Sequence, residues 1–166
     1  MPAATQIEIR RAGPEDAPAI ATVLHESFVQ FRALYTKGGF PATALSSDQI
    51  LKRMQEGPVW VALSDGTMLG TVAAVAKGGS VYIRGMAVLP SARGSGCGTR
   101  LLQQLEVWAC SEGCPRLFLS TTPFLDSAIR LYERFGFHRT QEGMHDLFGT
   151  PLFTMEKILG ASPEFI

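Results

Sequence analysis

Residues 87–102 read AVLPSARGSGCGTRLL, from Ala87 to Leu102, and the fold turns on how this stretch is understood. A short apolar run ends a strand, Gly94, Gly96 and Gly98 alternate with small residues, and Leu101-Leu102 begin a helix. Each glycine weakens a helix by about 1 kcal/mol relative to alanine. Three of them at a strand-to-helix junction imply either a very tight turn or the close approach of something to the backbone. Free amides at a helix start, with the helix dipole behind them, make an anion site. Glycines would let a phosphate reach those amides, and Arg93 and Arg100 would add charge. Spacing alone leaves both readings open. Two familiar phosphate loops do not fit. A Walker loop needs Gly-Lys-Ser/Thr where Gly98 is followed by Thr99-Arg100, and the dinucleotide fingerprint needs G-x-G-x-x-G after an early strand of a βαβ unit.

Working outward, "VWVAL", the turn Ser64-Asp65-Gly66 and "MLGTVAAVA" read as a hairpin, and Lys77 to Ser80 turn the chain into the strand "VYIRGMAVL". Before them, "QIEIRR" at 6–11 alternates as a strand. Gly13-Pro14-Glu15-Asp16 then starts a helix that Ile20, Leu24, Phe28 and Phe31 carry to about residue 31. Residues 32–47 read as a loop, and "SDQILKRMQE" as a short helix capped by Ser47 or Asp48. Toward the C-terminus, a helix over 98–112 presents Leu101, Leu102, Leu105, Trp108 and Ala109 on one face. The strand "RLFLSTT", a helix from about Phe124 to Phe135, and extended pieces near 137–142 and 151–158 follow. The order β-α-α-β-β-β-α-β-α-β-β predicts one α/β domain over 1–166, with its core at 6–158 and a loose tail at 159–166.

The chain of 166 residues is long enough for its own core, and 46% hydrophobic with 18% charged residues is an ordinary globular composition. Fifteen basic and fifteen acidic residues cancel, so no global field favours nucleic acid or an anionic membrane. The start lacks a signal-like apolar run, and no segment approaches the roughly 20 apolar residues of a membrane span, so a cytoplasmic location is expected. Cys97, Cys110 and Cys114 form an odd set with no histidine beside them, read as buried or idle thiols without a metal.

The stretch "VLPSARGSGCGTRLL" resembles the acetyl-CoA-binding motif Arg/Gln-x-x-Gly-x-Gly/Ala of the GNAT superfamily of N-acetyltransferases, with Arg93, Gly96 and Gly98 in the defining places. "SAIRLYERFGF" resembles the same family's A-x-x-x-Y-x-x-x-G-F signature through Ala128, Tyr132, Gly136 and Phe137, and the element order matches over 6–158. The resemblance implies an α/β GNAT fold, a mixed central sheet of six to seven strands with a splayed middle and about four flanking helices. It implies acetyl-CoA as cosubstrate, its pantetheine arm along Met86, Ala87 and Val88 and its diphosphate on Arg93, Gly94, Ser95, Gly96, Cys97, Gly98 and Thr99, with Ser127 adding a hydrogen bond. It also implies Tyr132 as general acid at the sulfur, where periodicity by itself reads a core tyrosine.

The reaction so implied is direct attack of a primary amine on the thioester in a ternary complex, a strand amide near Ala87 or Val88 holding the oxyanion and no cysteine acyl-enzyme forming. Two positions depart from the family. "VYIRGMAV" offers Tyr82 and Arg84 where many relatives carry a glutamate base, and Leu125 stands where many carry asparagine. The base is left open among His25, Glu26, His145, Asp146 and a water chain. A non-catalytic acyl-CoA sensor or scaffold is the alternative function. The acceptor is expected to be a small-molecule or peptide amine, shaped by "FRALYTKGGFPATALSS" and "EGMHDLFGTP", with no nucleic acid or membrane partner and a homodimer admitted.

Overall fold

A computed structural model describes residues 6–160. Eight strands build one sheet region around the glycine-rich stretch. Strands β1 (Glu8–Arg11), β2 (Val59–Ser64), β3 (Thr67–Lys77) and β4 (Ser80–Val88) pair antiparallel in that order. β4 then pairs parallel with β5 (Arg116–Thr121), a connection that needs a crossover helix. β6 (His138–Arg139) and β7 (His145–Leu147) both pair with β8 (Thr150–Ile158), which lies antiparallel to β5.

Strand alternation in β2 sorts the core into two layers. Trp60 and Ala62 face α4 (Cys97–Ser111) and α5 (Asp126–Arg134), where Leu101, Leu102, Leu105 and Tyr132 complete the packing. Val59, Val61 and Leu63 face α1 (Ala17–Phe28) and α3 (Ser47–Glu56), against Ile20, Val23, Leu24 and Ile50. With both faces covered, β2 reads as an unbroken apolar run. No helix among the described residues is long and apolar enough to cross a membrane.

The structure differs from the sequence reading in four places. Residues 32–47 are not a bare loop: a 3₁₀ helix covers Val29–Leu34 and a short helix α2 covers Gly39–Thr43. Phe40 of α2 is buried, and the Gly39 amide donates to Thr36 Oγ1 at 2.9 Å, so tertiary packing and a side-chain cap override the glycine and proline in this segment. The cap of α3 is Ser46, one residue before the expected pair, in a capping box with Gln49. β7 is an eighth strand, three residues long, too short and polar for periodicity to reveal. Leu159, expected to begin a loose tail, is buried, and its amide donates to the Pro115 carbonyl at 2.8 Å, while residues 161–166 of that tail lie outside the described ones.

Candidate active site

Pairing between β4 and β5 runs from Ser80 and Arg116 to Ile83 and Leu119 and stops, although β4 continues to Val88 and β5 to Thr121. The cause lies in β4. Thr71 pairs with Ala87 and Ala73 with Arg84, so Gly85 and Met86 together stand opposite Val72 alone. This is a β-bulge with Gly85 at φ +60°, and a bulged strand bends away from its neighbour. Beyond the bulge the Leu89 amide donates to the Leu69 carbonyl at 2.8 Å. Alternation turns Ala87 the same way, toward β3, and leaves the amides and carbonyls of Met86 and Val88 facing the gap. A cavity of 660 Å³ fills that gap and reaches both layers, touching Phe28, Phe31 and Tyr35 on one side of the sheet and Gly98, Leu131 and Tyr132 on the other.

The glycine loop closes one end of the cavity. Gly94 and Gly96 have φ of +82° and +85°, a backbone that only glycine adopts readily, and a Cβ on either would meet open space. Gly98 answers to a different need: a Cβ there would stand 2.7 Å from Leu131 Cδ2, so its bareness lets α4 approach α5. The amides of Gly94, Gly96, Gly98 and Thr99 have no backbone acceptor among the described residues. They converge at the start of α4 with Arg93 beside them, whose guanidinium donates to the Gln30 amide oxygen, turned toward it, at 3.0 and 3.2 Å. All the residues expected to hold the cosubstrate line the cavity except Ser95. The Ser95 hydroxyl donates to the Ala92 carbonyl at 2.5 Å and shapes the loop instead. Arg100, expected to add charge, donates to the Ile7 carbonyl and does not line the cavity. Cys97 is 1% exposed in the α4 layer, and burial pushes its thiol up to about 11, with Arg100 opposing.

Tyr132 is placed by the way α5 ends. Gly136, at φ +105°, turns the chain so that the Phe137 amide donates to the Tyr132 carbonyl at 2.9 Å and the two rings pack with centroids 5.9 Å apart. The ring is 6% exposed, and the hydroxyl has no hydrogen-bond partner among the described residues. Burial pushes the phenol above its ordinary value, and the nearby Tyr35 adds to the shift. Ser127 lines the cavity from the first turn of α5, 3.5 Å from Arg130 Nη2.

Of the four side chains considered as bases, His25 and Glu26 are exposed on α1 and lie off the cavity, His25 edge-on to Phe40 at 5.9 Å. Asp146 is exposed and also off it. His145 Nε2 lies 3.0 Å from the Ser120 hydroxyl, which lines the cavity. Four arginines outside the expected site residues also line the cavity: Arg53 of α3 and Arg84 of β4 on the α1 and α3 side, and Arg130 and Arg134 of α5. In sequence Arg84 marks only the lack of a carboxylate on its strand, and Arg53 stands one turn after the buried Ile50 at the edge of the apolar stripe of α3, where no local period distinguishes it from a surface charge.

The sequence profile of the acetyltransferase (GNAT) family matches residues 21–137, which span the bulged strand, the glycine loop and α5. The chain belongs to the GNAT family. It is 31% identical to YjgM, an uncharacterized N-acetyltransferase of Escherichia coli K12, over 134 residues, 78% of this chain and 80% of that one. It is 32% identical to the aminoglycoside N(6')-acetyltransferase type 1 of Acinetobacter genomosp. 13 over 100 residues, 59% of this chain and 62% of that one. The PaiA N-acetyltransferase of Thermoplasma acidophilum, solved with coenzyme A, shares the GNAT fold with a TM-score of 0.79 at 19% identity, covering 92% of this chain and 99% of that one. The protein is therefore an acyltransferase, and acetyl-CoA is the cosubstrate of its family.

Proposed function

We propose that this protein transfers an acetyl group from acetyl-CoA to a primary amine by direct attack within a ternary complex. The observation that carries the reading is one cavity through the splayed sheet, lined on the α4 side by unpaired loop amides and Tyr132 and on the α1 side by an aromatic wall. The diphosphate sits on the amides of Gly94, Gly96, Gly98 and Thr99, with Arg93 and Ser127 adding contacts. The pantetheine arm pairs with the gap-facing backbone of Met86 and Val88 like an added strand, while Ala87 supplies a small wall.

The acceptor amine comes from the Phe28, Phe31 and Tyr35 side and attacks the thioester carbonyl. A gap-facing β4 amide, that of Val88 or Met86, donates to the developing oxyanion. As the carbon–sulfur bond breaks, the neutral Tyr132 phenol donates its proton to the sulfur and regains one from solvent. The attacking nitrogen loses its proton to water held at Ser120, with His145 as the onward acceptor, since no carboxylate among the described residues lines the cavity. Cys97, Cys110 and Cys114 are free thiols, in keeping with a cytoplasmic enzyme.

Calorimetric titration with acetyl-CoA, with ATP and NAD as controls, is the direct test. Binding of acetyl-CoA alone is the expected result. Absence of both heat change and thermal shift would overturn the reading and return the glycines to a tight turn.

A further inference from the structure

The acceptor end of the cavity carries charge of one sign. Arg84 is the first residue of β4 beyond its last pairing with β5, so it stands where the strands part. Its Nη2 lies 3.1 Å from Glu56 Oε1, yet Nε and Nη2 are buried without a hydrogen bond. Arg53, one helical turn before Glu56 on α3, reaches over the bulge: its Nη1 lies 2.6 Å from where a Cβ of residue 85 would stand. Gly85 thus leaves space for the guanidinium. Among the described residues the Arg53 guanidinium has no ion pair or hydrogen bond. Burial and the neighbouring Arg84 pull Arg53 down to about 10, with Glu56 opposing, so the Arg53 charge is the one that lacks a close anion. Glu56 is 57% exposed and paired with Arg84, and among the described residues no Asp or Glu lines the cavity.

Two half-buried guanidiniums beside an aromatic wall, that of Arg84 with buried donors left without a hydrogen bond, have the planar, bidentate donor pattern that suits a carboxylate. On the reading above, the phosphates of the cosubstrate are served by the glycine loop and Arg93 at the start of α4. Resting on the acetyltransferase reading above, we infer that the acceptor is an amine that bears its own carboxylate close to the reacting nitrogen, an amino acid with an apolar or aromatic side group, held by Arg53 and Arg84. This sets the protein apart from a polycation acetylator, whose acceptor these charges would repel.

The test compares L-phenylalanine, L-phenylalaninamide and phenethylamine as acceptors with acetyl-CoA, in the wild type, Arg53→Gln and Arg53→Lys. Wild type should favour the carboxylate by about 10- to 100-fold in kcat/KM, the worth of a charge-assisted bond to a desolvated anion. Arg53→Gln should collapse that ratio toward one, and Arg53→Lys should restore part of it; a merely structural role would lower all three acceptors alike and leave the ratio intact. Equal rates on the three acceptors, or a ratio unchanged in Arg53→Gln, would overturn the inference. So would succinyl-CoA used better than acetyl-CoA on phenethylamine, which would assign the arginines to the acyl group.

A binding arm needs no turnover: N-acetyl-L-phenylalanine and its amide are titrated onto the protein with and without coenzyme A. Tighter binding of the acid, lost in Arg53→Gln, supports the carboxylate site even if no amine is acetylated. Equal or absent binding of both overturns the site while acetyl-CoA binding still upholds the acetyltransferase reading.

Discussion

The phenol of Tyr132 is buried, neutral and without a hydrogen-bond partner among the described residues, and each property shapes how its loss reads out. Tyr132→Phe keeps the ring against Phe137 and removes a hydroxyl that holds nothing, so stability should change by less than about 0.5 kcal/mol. The turnover number should fall by about 100-fold if the phenol is the general acid, with the KM for acetyl-CoA within about twofold of wild type. Steady-state kinetics beside a thermal melt separates the two effects. The raised pKa also has a sign. A general acid acts only while protonated, and an upward shift moves the alkaline loss of activity beyond the ordinary phenol value of about 10. The rate should therefore climb with pH as the amine deprotonates and hold to about pH 10, whereas a midpoint below about pH 9 would give the proton to another group. The loop glycines separate in the same way. Gly96→Ala forces a side chain into the left-handed region and should cost about 1 kcal/mol in a melt, while weakening acetyl-CoA. Gly98→Ala gains about 1 kcal/mol of helix propensity and loses a comparable amount by displacing a Leu131 methyl, leaving stability near wild type.

At the scale of elements, the bulge in β4 ties the gap to Arg53 of α3. Gly85→Ala would meet both the positive φ and the Arg53 guanidinium, and should cost about 1–2 kcal/mol in chemical denaturation while dislodging Arg53. Much of this was legible in sequence. Glycine between small residues marked the loop, the alternation of "VYIRGMAV" marked the strand, and Gly136 after a helical face marked the end of α5. The rest rests on contacts distant in sequence, which no local period carries. Arg53 reaches Gly85 across 32 positions, His145 meets Ser120 across 25, and Thr36 binds the Phe148 carbonyl at 2.7 Å across 112, pinning the segment after α1 to the β7–β8 turn. The same limit applies to Asp16, read as a helix-start acid and found bound to the Arg10 guanidinium at 2.8 and 2.9 Å. Arg10 holds the Asp16 carboxyl below the usual carboxylate range, so the folded pKa lies under the unfolded one. Its stabilisation is complete above the unfolded value and is lost as pH falls through the folded value. Asp16→Asn should cost about 1 kcal/mol at neutral pH, discounted because Arg10 is 38% exposed, and should converge with wild type in acid when melts are followed across pH.

For the molecule as a whole, the path through the sheet decides the kinetic mechanism. On the proposed reading, acetyl-CoA held on the α4 side and an acceptor arriving from the α1 side would meet in the one cavity that reaches both layers, so neither would have to leave before the other binds. A ping-pong route would need a protein nucleophile to hold the acetyl group in between. Among the described residues the one cysteine lining the cavity is Cys97, and its thiol is packed in the core at 1% exposure with its pKa pushed up to about 11. At neutral pH a thiol with that pKa is about 0.01% thiolate, too little to compete with a free amine. Initial rates measured over both substrates should therefore give intersecting double-reciprocal lines. Cys97→Ala should keep most of the turnover and lose about 1 kcal/mol of stability, the cost of one small buried group. Parallel lines, together with an inactive but folded Cys97→Ala, would mean that the acetyl group passes through the protein and that the cavity does not hold both partners at once.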